Sequence, residues 1–130
     1  MTVKQDYDAA APAALGDIRV LDLSRLVAGN AVTHVMADHG AEVIKIERPG
    51  AGDDLRNWKT KGLSVHWKVY CRGKKSVTLD LRTDRGRAIL LDLAATAHVI
   101  VENFKPGTLE KWGIGPAELH ARNPGLVIVR

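Results

Sequence analysis

Arg48-Pro49-Gly50 contains a side chain suited to binding an anion. It follows the alternating run Glu42–Glu47, which places the guanidinium of Arg48 at the predicted end of a strand. A guanidinium there can bind a phosphate through two hydrogen bonds or stack on a base. The alternative is an ion pair at the rim with Asp53 or Asp54.

Asn103-Phe104-Lys105-Pro106-Gly107 also lies at the end of a predicted strand, since it follows the run Val-Ile-Val-Glu at residues 99–102. At the end of a strand, an amide and an aromatic face can hold a flat or amide-rich ligand. The alternative is a turn in which Asn103 caps backbone groups and Phe104 packs.

Other familiar chemistries find no support. Dinucleotide-binding folds carry Gly-x-Gly-x-x-Gly after the first strand, whereas residues 25–30 hold one glycine, and no Gly-x-x-x-x-Gly-Lys-Ser/Thr occurs. The five histidines are scattered, so we predict no metal site. Cys71 is the only cysteine, which excludes intramolecular disulfides and multi-cysteine metal sites and favours the cytoplasm. Its thiol pKa could be lowered by the surrounding cations, or the side chain could simply pack.

The composition is that of an ordinary soluble domain, with 130 residues, 45% hydrophobic and 26% charged. No apolar run approaches the roughly 18 residues that span a bilayer, so we predict no membrane partner. Residues 1–14 lack a signal-peptide pattern and are interpreted as a flexible tail. Residues 48–87 hold eleven Lys/Arg against four Asp, which indicates either an anionic partner or a solvated surface. Nucleic acid is disfavoured because these cations are scattered and no recognition helix is evident.

Predicted strands and helices alternate along the chain. The predicted strands are residues 18–23, Glu42–Glu47, 76–81, 99–102 and 126–129. A helix capped by Asn30 is predicted to bury the face formed by Val32, Val35, Met36 and His39, with Gly40 as its left-handed C′ residue. Further helices are predicted after the cap residue Thr83, with an apolar stripe of Ile89, Leu90, Leu93, Ala94 and Ala97, and at 108–112 and Pro116–Arg122. Residues 49–73 are predicted to be a long excursion with a short helix near Trp67.

This alternation predicts an α/β fold, with a Rossmann-like, mostly parallel sheet and flanking helices. The last strand ends with the chain, so we expect the fold to be incomplete at the C-terminus. In such sheets ligands bind at the carboxyl ends of the strands. The turns after the strands are therefore the candidate site.

Taken in order, several stretches resemble the family III CoA-transferases, the group that includes formyl-CoA and carnitine CoA-transferases and α-methylacyl-CoA racemase. The matching stretches are 18–23, 37–50, Gly52-Asp53-Asp54-x-Arg56, 73–81, Val101-Glu102-Asn103-Phe104-x-Pro106-Gly107 and Asn123-Pro124-x-Leu126. The resemblance covers residues 15–130, which would be the N-terminal part of a CoA-binding Rossmann-like domain. It implies an enzyme that moves CoA from an acyl-CoA to a carboxylic acid and assembles as an interlocked homodimer.

The resemblance also implies which side chains contact CoA. They are Arg25, Leu26, Val27 and Ala28 after the first strand, Arg48 beside the adenine, Leu79 and Arg82 flanking the nucleotide, Asn103 and Phe104 on the pantetheine side, and Lys111 facing phosphate. This sequence departs from the family pattern at three positions: Asn30 stands in place of a common proline, Cys71 in place of asparagine and Lys111 in place of arginine. A lysine keeps the charge but loses the two-pronged hydrogen bonding of a guanidinium.

The resemblance implies a catalytic aspartate that attacks the thioester, and it places that residue in a later segment than residue 130. No catalytic residue is therefore assigned, and we expect the chain alone to be inactive. Two alternatives stay open: a racemase-type enzyme of the same family, and a non-catalytic CoA- or nucleotide-binding module. The sequence also leaves open the acyl group and the acceptor acid.

Overall fold

The computed structural model describes Asp6, Asp8 and residues 10–130 of the chain. Its centre is a five-stranded sheet in which every pair of neighbouring strands is parallel. The strands are β1 (Arg19–Asp22), β2 (Glu42–Glu47), β3 (Lys75–Thr78), β4 (Val99–Val101) and β5 (Val127–Val129), and their spatial order is β3-β2-β1-β4-β5. The predicted α/β fold with a parallel sheet is confirmed.

Helices connect the strands, as parallel pairing requires. They are α1 (Ala28–Asp38), α2 (Val65–Tyr70), α3 (Asp84–Ala94), α4 (Thr108–Lys111) and α5 (Pro116–Arg122), and a 3-10 turn covers Asp54–Asn57. The chain runs outward from β1 through β2 to β3, then returns to the other side of β1 to form β4. A crevice is expected where the strand order reverses in this way, between β1 and β4.

Apolar side chains from alternate strand positions pack on the two faces of the sheet. Leu21 and Ile100 belong to the larger cluster, where they meet Leu90 of α3. Val20 and Val43 belong to the smaller cluster on the α1 side, where Met36 packs against them. Burying a side chain of this size contributes about 1.5–3 kcal/mol, so these contacts fix the sheet that carries the loops.

Several local predictions hold. The bounds of β2 and α5 match the prediction, and a short helix surrounds Trp67. The hydroxyl of Thr83 accepts a hydrogen bond from the backbone N–H of Gly86 at 3.0 Å, so the predicted cap is confirmed. Gly40 has a φ of +97°, the left-handed conformation predicted after α1. Of the predicted tail, residues 1–14, the structure describes Asp6, Asp8 and residues 10–14, and the other seven residues lie outside the described part of the chain.

Two predictions about α1 are wrong. The helix begins at Ala28, so Asn30 lies inside it rather than capping it. The buried residues of α1 are Gly29, Asn30 and Thr33, whereas Val32 and Val35 are 44% and 54% exposed. The reason is that α1 packs over buried charged groups, and its polar face satisfies their hydrogen bonds.

Among the described residues, no helix is long and apolar enough to cross a membrane.

Candidate functional site

A groove of about 620 Å³ opens at the carboxyl ends of β1, β2, β3 and β4. This volume is within the range of small-molecule sites, roughly 300–1,000 Å³. The loops that follow these four strands supply its walls. The lining residues are Leu23, Ser24, Arg25, Ile46, Glu47, Arg48, Pro49, Ala51, Gly52, Asp53, Leu79, Asp80, Leu81, Arg82, Phe104, Lys105, Thr108 and Trp112.

Three arginines reach the groove from three different strand ends, and each is paired with a carboxylate. Arg48 donates from Nη2 to Oδ1 of Asp54 at 2.6 Å, which is the rim ion pair that the sequence left as an alternative. Arg25 lies 3.9 Å from the other oxygen of Asp54. Arg82 makes two hydrogen bonds to Asp80, at 2.9 and 3.0 Å, and these hold the pKa of Asp80 below its ordinary value.

Apolar and aromatic side chains form the rest of the wall. The guanidinium carbon of Arg25 lies 5.0 Å from the centre of the Phe104 ring, a cation–π contact. Phe104 in turn meets Trp112 edge-on, with the ring centres 5.5 Å apart. The groove therefore offers cations beside an apolar surface, a combination suited to a ligand that has both charged and apolar parts.

Asn103 acts on the groove through Arg25. Its Oδ1 accepts from the backbone N–H of Arg25 at 2.8 Å, and its Nδ2 donates to the backbone carbonyl of Arg25 at 2.8 Å. This pair of bonds joins the loop after β4 to the loop after β1. Asn103 does not line the groove; it fixes the position of a residue that does.

The structure brings together five of the ten residues proposed from the sequence: Arg25, Arg48, Leu79, Arg82 and Phe104. Leu26, Val27 and Ala28 continue from Arg25 into the start of α1 and do not line the groove. Leu26 has a φ of +61°, an uncommon conformation for a residue with a side chain. Lys111 lies at the end of α4 and is also outside the lining.

A buried network of four charged side chains lies beside the groove, and sequence reasoning missed it. Lys45 contacts Asp22 at 3.3 Å and Asp53 at 3.0 Å, and Lys74 contacts Asp22 at 2.9 Å. All four side chains are at most 1% exposed. Two carboxylates face two ammonium groups, so the buried charges balance.

The polar face of α1 completes this network. The ammonium of Lys74 donates to Thr33 Oγ1 at 2.7 Å and to Asn30 Oδ1 at 3.1 Å. Thr33 donates to Asp22 Oδ2 at 2.6 Å. Gly29 lets the helix approach β1 closely, because a Cβ there would lie 2.1 Å from the Cβ of Ser24. The network therefore sets the position of α1 against the end of β1.

Asp53 links the buried network to the loop after β1 and to the loop after β2. Its carboxylate accepts from the backbone N–H of Leu26 at 3.0 Å, from that of Leu55 at 2.9 Å and from Asn30 Nδ2 at 2.8 Å. Burial alone would raise the pKa of Asp53, but these hydrogen bonds and Lys45 hold it below its ordinary value. Asp53 thereby restrains Leu26 in its left-handed conformation next to Arg25.

The carboxylate of Glu47, the last residue of β2, anchors the long connection between β2 and β3. It accepts two hydrogen bonds from Arg56, each 2.7 Å long, and one from Ser76 at 2.6 Å. Burial would raise the pKa of Glu47, yet these donors and the backbone N–H of Asp53 keep it lowered. The guanidinium of Arg56 also stacks on Trp67 at 3.7 Å. Residues 54–70 are therefore attached to the rim of the groove.

Cys71 is half-buried, and its Sγ lies 3.5 Å from Asn30 Oδ1. Burial raises the pKa of its thiol to about 11, with the neighbouring lysines opposing that shift. The side chain packs, and it is not an activated thiol. The described part of the chain brings no three His, Cys, Asp or Glu side chains together in a way that could hold a metal.

An open parallel sheet with a groove at the switch point defines an α/β protein of the kind that binds ligands at strand carboxyl ends. Residues 15–130 match the model of CoA-transferase family III. The chain therefore belongs to CoA-transferase family III, and the resemblance seen in the sequence is confirmed.

Two curated relatives illustrate the similarity. The chain is 49% identical over 122 residues to a succinyl-CoA–D-citramalate CoA-transferase of Chloroflexus aurantiacus, covering 92% of this chain and 30% of that protein. It is 45% identical over 121 residues to a probable fatty acyl-CoA transferase of Mycobacterium tuberculosis, covering 89% of this chain and 30% of the relative. The chain thus spans about 30% of the length of these relatives.

Solved structures agree with the fold. A crystal structure of a hypothetical protein from Mycobacterium tuberculosis matches with a TM-score of 0.84 at 46% identity, over 89% of this chain and 32% of that one. A CAIB/BAIF family protein from Brucella suis matches with a TM-score of 0.84 at 38% identity, over 91% of this chain and 33% of its own.

Proposed function

We propose that the groove binds the CoA part of an acyl-CoA, and that the complete protein moves CoA from that acyl-CoA to a carboxylic acid. The observation that carries this proposal is the convergence of Arg25, Arg48 and Arg82 with Leu79 and Phe104 in one groove. CoA combines phosphates, a planar base and a long arm. Guanidinium groups bind the phosphates or stack on the base, and apolar walls accommodate the arm.

Membership of the family supports the transfer reaction. Of the two relatives described above, one is named a succinyl-CoA–D-citramalate CoA-transferase and the other a probable fatty acyl-CoA transferase. Those names suggest the class of substrate for this protein, an acyl-CoA with a carboxylic acid acceptor.

We further propose that these 130 residues do not transfer CoA by themselves. The reaction needs a free carboxylate that can attack a thioester. The carboxylates that line the groove are Glu47, Asp53 and Asp80, and each already accepts several hydrogen bonds. Exchange of CoA between an acyl-CoA and a free carboxylate, measured with the isolated chain, would contradict this part of the proposal.

We also propose that the complete protein forms the interlocked homodimer that the family resemblance implies, and works in the cytoplasm. Large apolar side chains are exposed on the surface of this chain, and contact with the rest of the protein or with a partner subunit would remove them from water. Val35, Leu63 and Val127 are 54%, 57% and 56% exposed in the single chain. Sedimentation of the complete protein would reveal a dimer, and a monomer would contradict it.

Titration calorimetry with CoA tests the binding proposal directly. We expect the 130-residue chain to bind CoA. We expect Arg48→Gln to weaken that binding about tenfold, which corresponds to the lower end of the free energy contributed by a charge-assisted hydrogen bond. Arg122→Gln is the matched control, since Arg122 is an exposed arginine on α5 that pairs loosely with Asp92 at 3.8 Å and does not line the groove.

CoA without its 3′-phosphate is a second ligand for the same calorimetry, because it shows whether that phosphate is recognised as part of the nucleotide or only attracted by nearby cations. A local contact predicts that Arg48→Gln and Arg122→Gln differ with CoA, while general attraction predicts equal losses and a uniform dependence on salt. Equal losses for the two variants, or no binding of CoA by the folded chain, would refute the assignment of the groove.

A further inference from the structure

Asp54 occupies the space between two of the groove's arginines. One carboxylate oxygen lies 2.6 Å from Nη2 of Arg48, and the other lies 3.9 Å from Nη1 of Arg25. The Nε of Arg48 also donates to the backbone carbonyl of Gly52 at 3.2 Å. The charge of Arg48 is therefore already neutralised, and much of its donor capacity is used within the chain.

The three side chains concerned are accessible. Arg48 is 49% exposed, Arg25 is 43% exposed and Asp54 is 42% exposed. Exposed ion pairs of this kind are weak, because water and dissolved ions screen them. Asp54 differs in this respect from its neighbour Asp53, which is buried and accepts from two backbone N–H groups. Asp53 is fixed in place, whereas Asp54 can leave its partners at low cost.

We propose that Asp54 is the resident counter-ion of Arg48 and Arg25, and that a phosphorylated ligand binds by displacing it. This rests on the proposed function of the groove. A phosphate group near neutral pH carries a charge of about −1.5 to −2 and three acceptor oxygens, so it outcompetes a single carboxylate.

The same arrangement discriminates against carboxylates. A free monocarboxylate offers the arginines the same charge and geometry as Asp54, but it loses translational freedom on binding. Asp54 is attached to the chain only six residues from Arg48, and a short connection of this kind acts as a local concentration of about millimolar or more. Asp54 thereby keeps an acidic substrate out of the nucleotide end of the groove while admitting a phosphate.

Adenosine 3′,5′-bisphosphate is the probe that isolates this effect, because it carries two phosphates on a nucleoside and no acyl arm. In calorimetry at constant ionic strength we expect Asp54→Asn to bind it about two- to fivefold more tightly than the unmodified chain. Asp92→Asn is the matched control: it removes the same charge from an exposed aspartate on α3 that does not line the groove. We expect it to bind as the unmodified chain does.

Competition by acetate tests the selectivity. In Asp54→Asn we expect acetate to weaken binding of the bisphosphate at lower concentrations than in the unmodified chain, where acetate must also compete with a carboxylate held nearby at about millimolar or more. Asp54→Glu keeps the charge and is expected to restore resistance to acetate. Asp54→Ser provides a second neutral variant should the asparagine variant lose its circular dichroism signal.

Three outcomes decide the matter. Tighter binding by the neutral variants at position 54, with Asp92→Asn unchanged, supports the inference. If the folded unmodified chain binds the bisphosphate and the neutral variants bind equally or more weakly, Asp54 orients the arginines rather than competing with the ligand, and the inference is wrong. If no folded variant binds the bisphosphate, the proposed function of the groove fails and the inference fails with it.

Discussion

Two adjacent lysines, Lys74 and Lys75, provide a direct test of the buried network. The side chain of Lys74 is 1% exposed and contacts Asp22 at 2.9 Å, whereas that of Lys75 is 69% exposed and pairs with Glu42 at the surface. Each can be replaced by methionine, which has a similar length and no charge. The two variants therefore change the net charge equally, next to each other in the sequence, in opposite environments.

We expect Lys74→Met to be severely destabilising. The change leaves Asp22 and Asp53 with Lys45 as their only nearby ammonium partner in the described network, and Thr33 and Asn30 lose a donor. Removing one partner of a buried ion pair costs about 3–5 kcal/mol. A domain is stable by only about 5–15 kcal/mol, so a large part of the total is lost. For a chain of this size, that loss lowers Tm by roughly 10 °C or more.

Urea unfolding followed by circular dichroism measures the effect, with the midpoint shifting and the slope unchanged if the unfolded state is unaffected. Lys75→Met is expected to unfold near the original midpoint, because exposed pairs contribute little. The double variant Lys74→Met with Asp22→Asn should be more stable than the sum of the two single losses predicts, since the two residues are in contact. Equal midpoints for Lys74→Met and Lys75→Met would refute the account of the network.

Two further predictions concern ionisation. The Cys71 thiol has its pKa raised to about 11, so at pH 8 it should react with iodoacetamide at least about tenfold more slowly than an unfolded cysteine of pKa about 8.5. A rate equal to that of the urea-unfolded chain would contradict the burial. Because the pKa of Glu47 is lowered by folding, its ionised form stabilises the fold above the unfolded pKa of about 4.3, and this contribution is lost as pH falls through the lower, folded value. The difference in unfolding free energy between the original chain and Glu47→Gln should therefore shrink between pH 6 and pH 3, and a constant difference would show that the charge of Glu47 is not involved.

The sequence predicted the architecture well, because the predicted strands are short, rich in β-branched residues and bounded by turn residues. Glu42–Glu47 alternates between charged and apolar residues over most of its length and lies between Gly40 and Pro49, and its predicted ends were correct. The site could be predicted in outline for a related reason: parallel strands bring their carboxyl ends to one edge, so Arg48 and Phe104 had to lie close to each other.

The buried network could not be predicted, because its members lie far apart in the chain. Asp22, Lys45, Asp53 and Lys74 look like ordinary surface charges in the sequence. The pairing of β1 with β2 places Lys45 beside Asp22, and the packing of α1 and the loops against that edge adds Asp53 and Lys74. The same packing explains the error in α1. Apolar spacing predicted that Val35 faces inward, but the interior at that point is charged, so Thr33 faces it instead.

Because the four buried charges sum to zero, the substitutions that each of these positions tolerates depend on the other three. A chain that loses the ammonium at 74 must also lose an acid at 22 or 53, or gain a cation elsewhere within reach, because each intermediate step passes through an unbalanced interior. Substitutions at the four positions should therefore occur together among related proteins, whereas a change at the exposed Asp54 leaves the buried charges balanced and is expected to alter what the groove accepts without endangering the fold.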